Sequence, residues 1–252
     1  MSIDDPFDNN KKQSKNYLLK DGKIINLKRK ALEKKDILIN GKVIEKIGEN
    51  LKKNDSNIEI IDCKNLLVSP GLVDMRVNIG EPGLEHKETI KSVSMSATSG
   101  GVTSLLCMPN TSPPIDQPAI IQSIQRKARE VALSKIFCTG CITRGFIGKE
   151  ICELQLMEKS GALGFTDGLR TVANARVMKR ALNYAKSFNG LIIQHAEEPD
   201  LSGEGVINEG EISTRLGLVG IPSYAEAMII ERDIWLVKDT GCRYHVSHIS
   251  TK

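Results

Sequence analysis

No apolar run in the 252-residue chain reaches the ~18 residues that a membrane-spanning helix needs, so none is expected. Aromatic side chains make up only 4%, and no basic stripe interleaves them, which argues against nucleic-acid binding. The opening Met1-Ser-Ile-Asp-Asp-Pro6 is acidic and polar and does not read as a signal peptide. No large excess of one charge is present. The net +4 comes largely from lysines between Lys11 and Lys35 and from Lys52 and Lys53, a pattern of solvated surface. A disulfide framework is not expected either. Cys63, Cys107, Cys138, Cys141, Cys152 and Cys242 fall mostly in apolar, strand-like runs, which implies buried thiols in a reducing compartment and a cytoplasmic protein. Cys138-Thr-Gly-Cys141 has C-x-x-C spacing, but neither a helix N-terminus nor a second pair accompanies it, so it reads as core.

What is present is the composition of a globular protein, 40% hydrophobic and 26% charged, on a chain long enough to bury a substantial core. Residues 1–16 are polar without periodicity and read as a disordered arm. Residues 17–68 have the texture of short strands and turns, a small antiparallel module of β-sandwich type. Two apolar runs flank Asp21-Gly22, and two more flank Asn40-Gly41. Each dipeptide is a hairpin signal.

From residue 69 to 252 the texture becomes alternating strand and helix. Strands are expected at 72–77, 102–107, 135–141, 162–166, 191–195 and 243–248, with helices at 87–99, 117–131, 149–159, 174–187 and 224–239. Such alternation implies βαβ units and a parallel sheet. Six strands are fewer than the eight of a closed (β/α) barrel, which points to a barrel truncated after the sixth strand or closed by a partner. A doubly wound sheet is the alternative. No Gly-rich phosphate loop follows the first strand, which disfavours its nucleotide-binding form.

Barrels of this kind carry their functional residues at the C-terminal ends of the strands. The polar residues there are Arg76, Asn78, Asn110, Asp167, His195 and His248. Two histidines closing successive strands, after an Asp that closes the one before, suggest a metal site. The bland reading keeps Asp167 as a cap or as an ion-pair partner of Arg76, with His195 and His248 as ordinary hydrogen-bonded histidines. His245, at an odd offset from His248, is expected to face the helices, and His86 to open a surface helix.

Several strings carry a resemblance. They are Ser69-Pro-Gly-Leu-Val-Asp74-Met-Arg76-Val-Asn78, Cys107-Met-Pro-Asn110-Thr, Gly161-Ala-Leu-Gly-Phe-Thr-Asp167-Gly168, Asn208-Glu-Gly-Glu-Ile-Ser and Arg243-Tyr-His-Val-Ser-His248. Together they resemble dihydroorotase, of the amidohydrolase superfamily that also holds allantoinases and hydantoinases. The resemblance implies a TIM-type barrel, zinc, and ring opening of dihydroorotate, or its reverse, in de novo pyrimidine biosynthesis. It implies Asp167, His195 and His248 as metal ligands and Asn110 as a substrate-binding residue. Arg76 and Asn78 stand where the family has a His-x-His pair, Gly80 where it has a carboxylate-gripping arginine, and Gly168 where it has a second acid. The catalytic Asp is expected beyond Lys252.

These replacements have a physical consequence. Imidazole offers zinc a lone pair, whereas guanidinium has none and carries positive charge. An amide oxygen is a poor zinc ligand. The resemblance with these losses implies an impaired dihydroorotase homologue that acts as a scaffold for aspartate transcarbamoylase or self-associates. The alternative is an active cyclic amidohydrolase using one ion on Asp167, His195 and His248, since three ligands and an open position suffice for catalytic zinc.

Overall fold

The computed structural model describes residues 15–26, 29–52 and 57–251. Most of the arm expected over 1–16 lies outside the described residues, and Asn16 already stands in the first strand. The chain divides into two compact units, Met1–Gly71 and Leu72–Lys252.

In the first unit β1 (Asn16–Asn26), β2 (Ala31–Asn40), β3 (Val43–Gly48) and β4 (Ile58–Asp62) form one sheet ordered β3-β2-β1-β4, and β5 (Leu67–Val68) also pairs with β1. The Asn40-Gly41 hairpin is present: Asn40 faces Val43 across a two-residue turn in which Gly41 takes φ 61°. The Asp21-Gly22 hairpin is not. β1 runs straight through it, and the register steps from Leu19 opposite Ile37 to Gly22 opposite Lys35, which inserts one extra residue as a β-bulge. The buried Asp36 carboxylate holds the bulge, accepting from Asp21 N–H at 2.8 Å, Lys20 Nζ at 2.8 Å and Leu51 N–H at 2.8 Å. A side chain at Gly22 would begin 2.7 Å from Val68 Cγ2, so the glycine serves close packing there. The pairing also differs from the antiparallel expectation, because β1 runs parallel to both β4 and β5. Among the described residues these strands are joined in one hydrogen-bonded sheet.

The second unit is the α/β part. Strands β6 (Leu72–Val77), β7 (Val102–Cys107), β8 (Lys135–Gly140), β9 (Ala162–Phe165) and β10 (Leu191–His195) pair in sequence order. After a short excursion containing β11 (Ile207–Asn208) and β12 (Gly220–Ile221), β13 (Arg243–Ser247) pairs with β10. All five pairings are parallel. The order never reverses, as a doubly wound sheet requires. The sheet curls as the six-strand part of a TIM-type barrel.

Helices α1 (Ile90–Ser99), α2 (Pro118–Val131), α3 (Leu154–Lys159) and α4 (Ala175–Lys186) connect the strands. Their local causes are visible in sequence. Thr89 and Ser92 form a capping box for α1, Pro118 opens α2, and the Asn174 side chain caps α4 by accepting from Arg176 N–H and Val177 N–H. α2 buries Ile121, Ile124 and Ala128, and α4 buries Val177, Ala181, Leu182 and Ala185, the i/i+3/i+4 stripe of a helix lying on a sheet. The stretch 196–222, left without elements by the sequence reading, folds as α5 (Pro199–Ser202), β11, α6 (Glu211–Leu216) and β12. α7 (Ser223–Thr240) follows and stops at left-handed Gly241. Among the described residues no helix is long and apolar enough to cross a membrane. All six cysteines are buried and free. Cys138 neighbours Cys107 on β7 rather than Cys141, and burial pushes the Cys152 thiol up to about 12. The C-x-x-C spacing therefore belongs to the core.

Candidate functional site

The residues singled out by the strand-end argument all lie at the C-terminal mouth of the six-stranded sheet, but they do not converge as one ligand set. Arg76 is on β6 and Asn78 follows it. Together with Asn110, Asp167, Gly168 and Arg170 they line a cavity of about 210 Å³. A neighbouring cavity of about 350 Å³ shares Arg170 and adds Thr171, His195 and Glu197. A larger groove of about 580 Å³ on the first sheet is lined by charges already paired, such as Lys34 with Asp21 and Lys35 with Glu49.

Asp167 is buried, and both of its oxygens accept from the β8–α3 loop. Oδ1 accepts from Ile142 N–H at 2.8 Å and Thr143 N–H at 2.9 Å, and Oδ2 accepts from the Thr143 hydroxyl. Thr143 Oγ1 in turn accepts from Gly148 N–H at 3.0 Å. Burial raises the Asp167 carboxyl above its ordinary value, even though these donors pull the other way. Asp167 thus clamps a loop. The ion pair with Arg76 is not formed. Arg76 donates from its backbone N–H to Asp74 Oδ1 at 3.0 Å, and its guanidinium reaches only Met108 Sδ at 3.7 Å. Gly168, by contrast, lines the cavity with φ 70°, and a side chain there would meet nothing within 4 Å. The position facing the mouth is therefore the one that carries no acid.

His195 and His248 do meet. Their Nδ1 atoms are 3.0 Å apart and their rings cross edge to face at 5.0 Å. His195 Nε2 lies 3.8 Å from Glu197 Oε2, and His248 Nε2 lies 3.2 Å from Ser247 Oγ. Burial lowers both imidazoles; Glu197 opposes this at His195, and the charge of nearby Arg76 lowers both. The 3.0 Å approach of the two Nδ1 atoms is a hydrogen bond in which one imidazole donates and the other accepts. Among the described residues no three His, Cys, Asp or Glu side chains are grouped so as to hold a metal ion. The donors do not fit zinc. The one carboxylate already accepts three hydrogen bonds, the two imidazoles bond to each other, and a guanidinium occupies the same rim.

Two further details depart from expectation. Tyr244 donates to Asp233 of α7 at 2.6 Å, so the even positions of β13 face the helices and His245 faces inward. His248 lies past the strand with φ 58°, which breaks the alternation that its offset from His245 presumed. At Gly80 the backbone is left-handed, φ 67°, and a Cβ would sit 2.4 Å from the Glu88 carbonyl oxygen. An arginine there requires a different backbone path, so more than a side chain is missing. Sequence reasoning passed over Thr143, Arg170 and Glu197. Thr143 and Arg170 occupy loops whose course no local pattern announces. The strand-end position of Glu197, two residues past His195, was the only signal available for it.

A family model described as Dihydro-orotase-like matches residues 65–252. The chain is 43% identical to a dihydroorotase of Caldicellulosiruptor saccharolyticus, over 93% of its own length and 55% of the relative. It is 41% identical to a dihydroorotase of Pelobacter propionicus, over 94% and 55%. The chain thus spans about half the length of the curated relatives it matches. Among solved structures it superposes on the L-hydantoinase (dihydropyrimidinase) of Arthrobacter aurescens with a TM-score of 0.75 at 20% identity, over 94% of this chain and 53% of that one. A D-hydantoinase (dihydropyrimidinase) from Thermus sp. gives 0.69 at 24% identity, over 94% and 53%.

Proposed function

The chain belongs to the dihydroorotase-like family, and from that premise we propose that it serves de novo pyrimidine biosynthesis in the cytoplasm as a catalytically impaired member. In this reading it acts as a scaffold for aspartate transcarbamoylase. The observation that carries the impairment is the end of β6, where Arg76 and Asn78 place a guanidinium and an amide in the family's His-x-His positions. A cation that enters this rim meets positive charge and loses two ligands. The scaffold clause is supported by large apolar side chains left exposed on α7, Tyr224, Met228 and Trp235, the kind of surface a protein partner covers.

An active cyclic amidohydrolase working through one ion on Asp167, His195 and His248 is the competing reading. It requires Asp167 to leave three donors and the two imidazoles to separate. Metal analysis of the purified protein after dialysis against a mild chelator, with an assay of dihydroorotate hydrolysis on the same sample, decides between the two. The expected result is zinc well below one equivalent and no turnover. Stoichiometric zinc with turnover would overturn the proposal. Mixing with aspartate transcarbamoylase and sizing the product tests the scaffold, which falls if the two elute separately.

A further inference from the structure

We infer that the cavity at the end of β6 is a binding site for a small oxyanion, a carboxylate or a phosphate, anchored by Arg76 and Arg170 with Asn78 and Asn110 beside them. The inference rests on the reading that a guanidinium has taken a metal position, and it adds what that position now attracts.

Four observations carry it. First, the cavity is real and small, about 210 Å³, suited to a compact metabolite rather than to a drug-sized ligand. Second, two guanidinium groups line it, and neither is spent. Arg76 reaches only Met108 Sδ, and Arg170 donates only to the Phe146 carbonyl oxygen at 3.4 Å. Among the described residues no carboxylate lies within ion-pair distance of either. Third, the one carboxylate in the lining is Asp167, whose two oxygens accept from Ile142 and Thr143; Arg170 acts on it only through the field of its charge, with no hydrogen bond between them. Fourth, the Asn78 and Asn110 amides supply further donors on the same wall, and Gly168 leaves its side of the cavity free of any side chain. A planar fork of N–H donors with adjacent amides suits an oxyanion, which it can grip through two parallel hydrogen bonds. The same wall repels a divalent cation. Replacement of imidazole by guanidinium therefore reverses the sign of the preferred ligand.

The test is calorimetric titration of the full chain at low ionic strength with inorganic phosphate, with succinate and, separately, with zinc chloride. Saturable binding of phosphate or succinate is expected, with heats for zinc no greater than those of dilution. Which of the two anions binds more tightly identifies the source of the oxyanion. Arg76→Gln and Arg170→Gln should each weaken that binding at least tenfold, and Arg76→Lys should retain part of it. If Arg76→Gln fails to melt cooperatively, the Lys variant and the Arg170 variant carry the comparison. Absence of saturation by both anions overturns the inference, as does an unchanged affinity in both Gln variants. Tight zinc binding would overturn it together with the proposed function, whereas failure to bind either zinc or an anion would overturn the anion site alone.

Discussion

Replacing Asp167 by alanine should destabilise the barrel unit by about 3–5 kcal/mol, the cost of opening a buried charged network by deleting one partner. The figure follows from what the carboxylate holds: two backbone N–H groups at 2.8 and 2.9 Å and one hydroxyl, all buried. Each bond to a charged acceptor is worth about 1.5–3 kcal/mol, and part of the total is recovered because the mutant no longer buries a charge. Asp167→Asn keeps one acceptor oxygen for the two backbone donors and can donate to Thr143 Oγ1, so it should lose only about 1–2 kcal/mol. Thermal melts should show a drop of roughly 6–20 °C for alanine, at about 2–4 °C per kcal/mol for a chain of this size. The decisive comparison is between melts in a chelator and melts in added zinc. A clamp gives the same loss in both. A loss confined to the zinc-containing samples would mean that Asp167 acts as a metal ligand, and the account of its buried oxygens would be wrong.

Arg76→His with Asn78→His should raise zinc uptake measured after dialysis, whereas adding Gly80→Arg should lower stability by about 1–3 kcal/mol, the cost of a strained backbone position, read as a shifted urea midpoint. A triple variant as stable as the double would show that the left-handed turn at Gly80 is not required. Tyr244→Phe leaves the fully buried Asp233 with Arg232 alone. It should cost about 1–3 kcal/mol in denaturant unfolding, and a change below half that would mean the hydroxyl is idle. Burial alone would raise the Asp36 carboxyl, but the Asp21 N–H, the Lys20 ammonium and the Leu51 N–H outweigh it and hold it below the usual carboxylate range. Its contribution is therefore complete above the ordinary carboxylate value and lost as pH falls through the lower folded value. Hydrogen exchange should show residues 16–51 loosening over that acid range, and Asp36→Asn should remove the dependence.

Most barrel strands and helices were legible because many of the runs are bounded by a cap, a proline or a glycine, and because a six-strand sheet paired in order needs no long-range information beyond the alternation itself. The helix expected over 149–159 forms only over Leu154–Lys159, since Ile151 bridges back to Thr143. What stayed hidden depended on contacts distant in sequence. Asp21-Gly22 has the composition of a hairpin, yet Asp36 and Leu51 capture its N–H and side-chain neighbours and turn it into a bulge inside a continuous strand. Asp167 has the position of a ligand, yet the β8–α3 loop claims both its oxygens. His245 and His248 were assigned faces by counting, which fails once the chain leaves the strand with a left-handed residue. The expectation of a lost metal position at Arg76 and Asn78 rested on residue identities alone, since no rotamer of guanidinium can donate a lone pair.

Glu226 on α7 accepts from the backbone and hydroxyl groups of both Ser250 and Thr251, so the chain just past β13 is tethered from the helix layer rather than from within the mouth. Beside the Asp167 clamp, part of the support of that rim is thus wired through side chains outside the mouth. Mouth positions that bear no such support, Arg76 and Asn78 among them, can change without undoing the architecture that displays them. Substitution at those positions alters what the mouth attracts and leaves its outline in place.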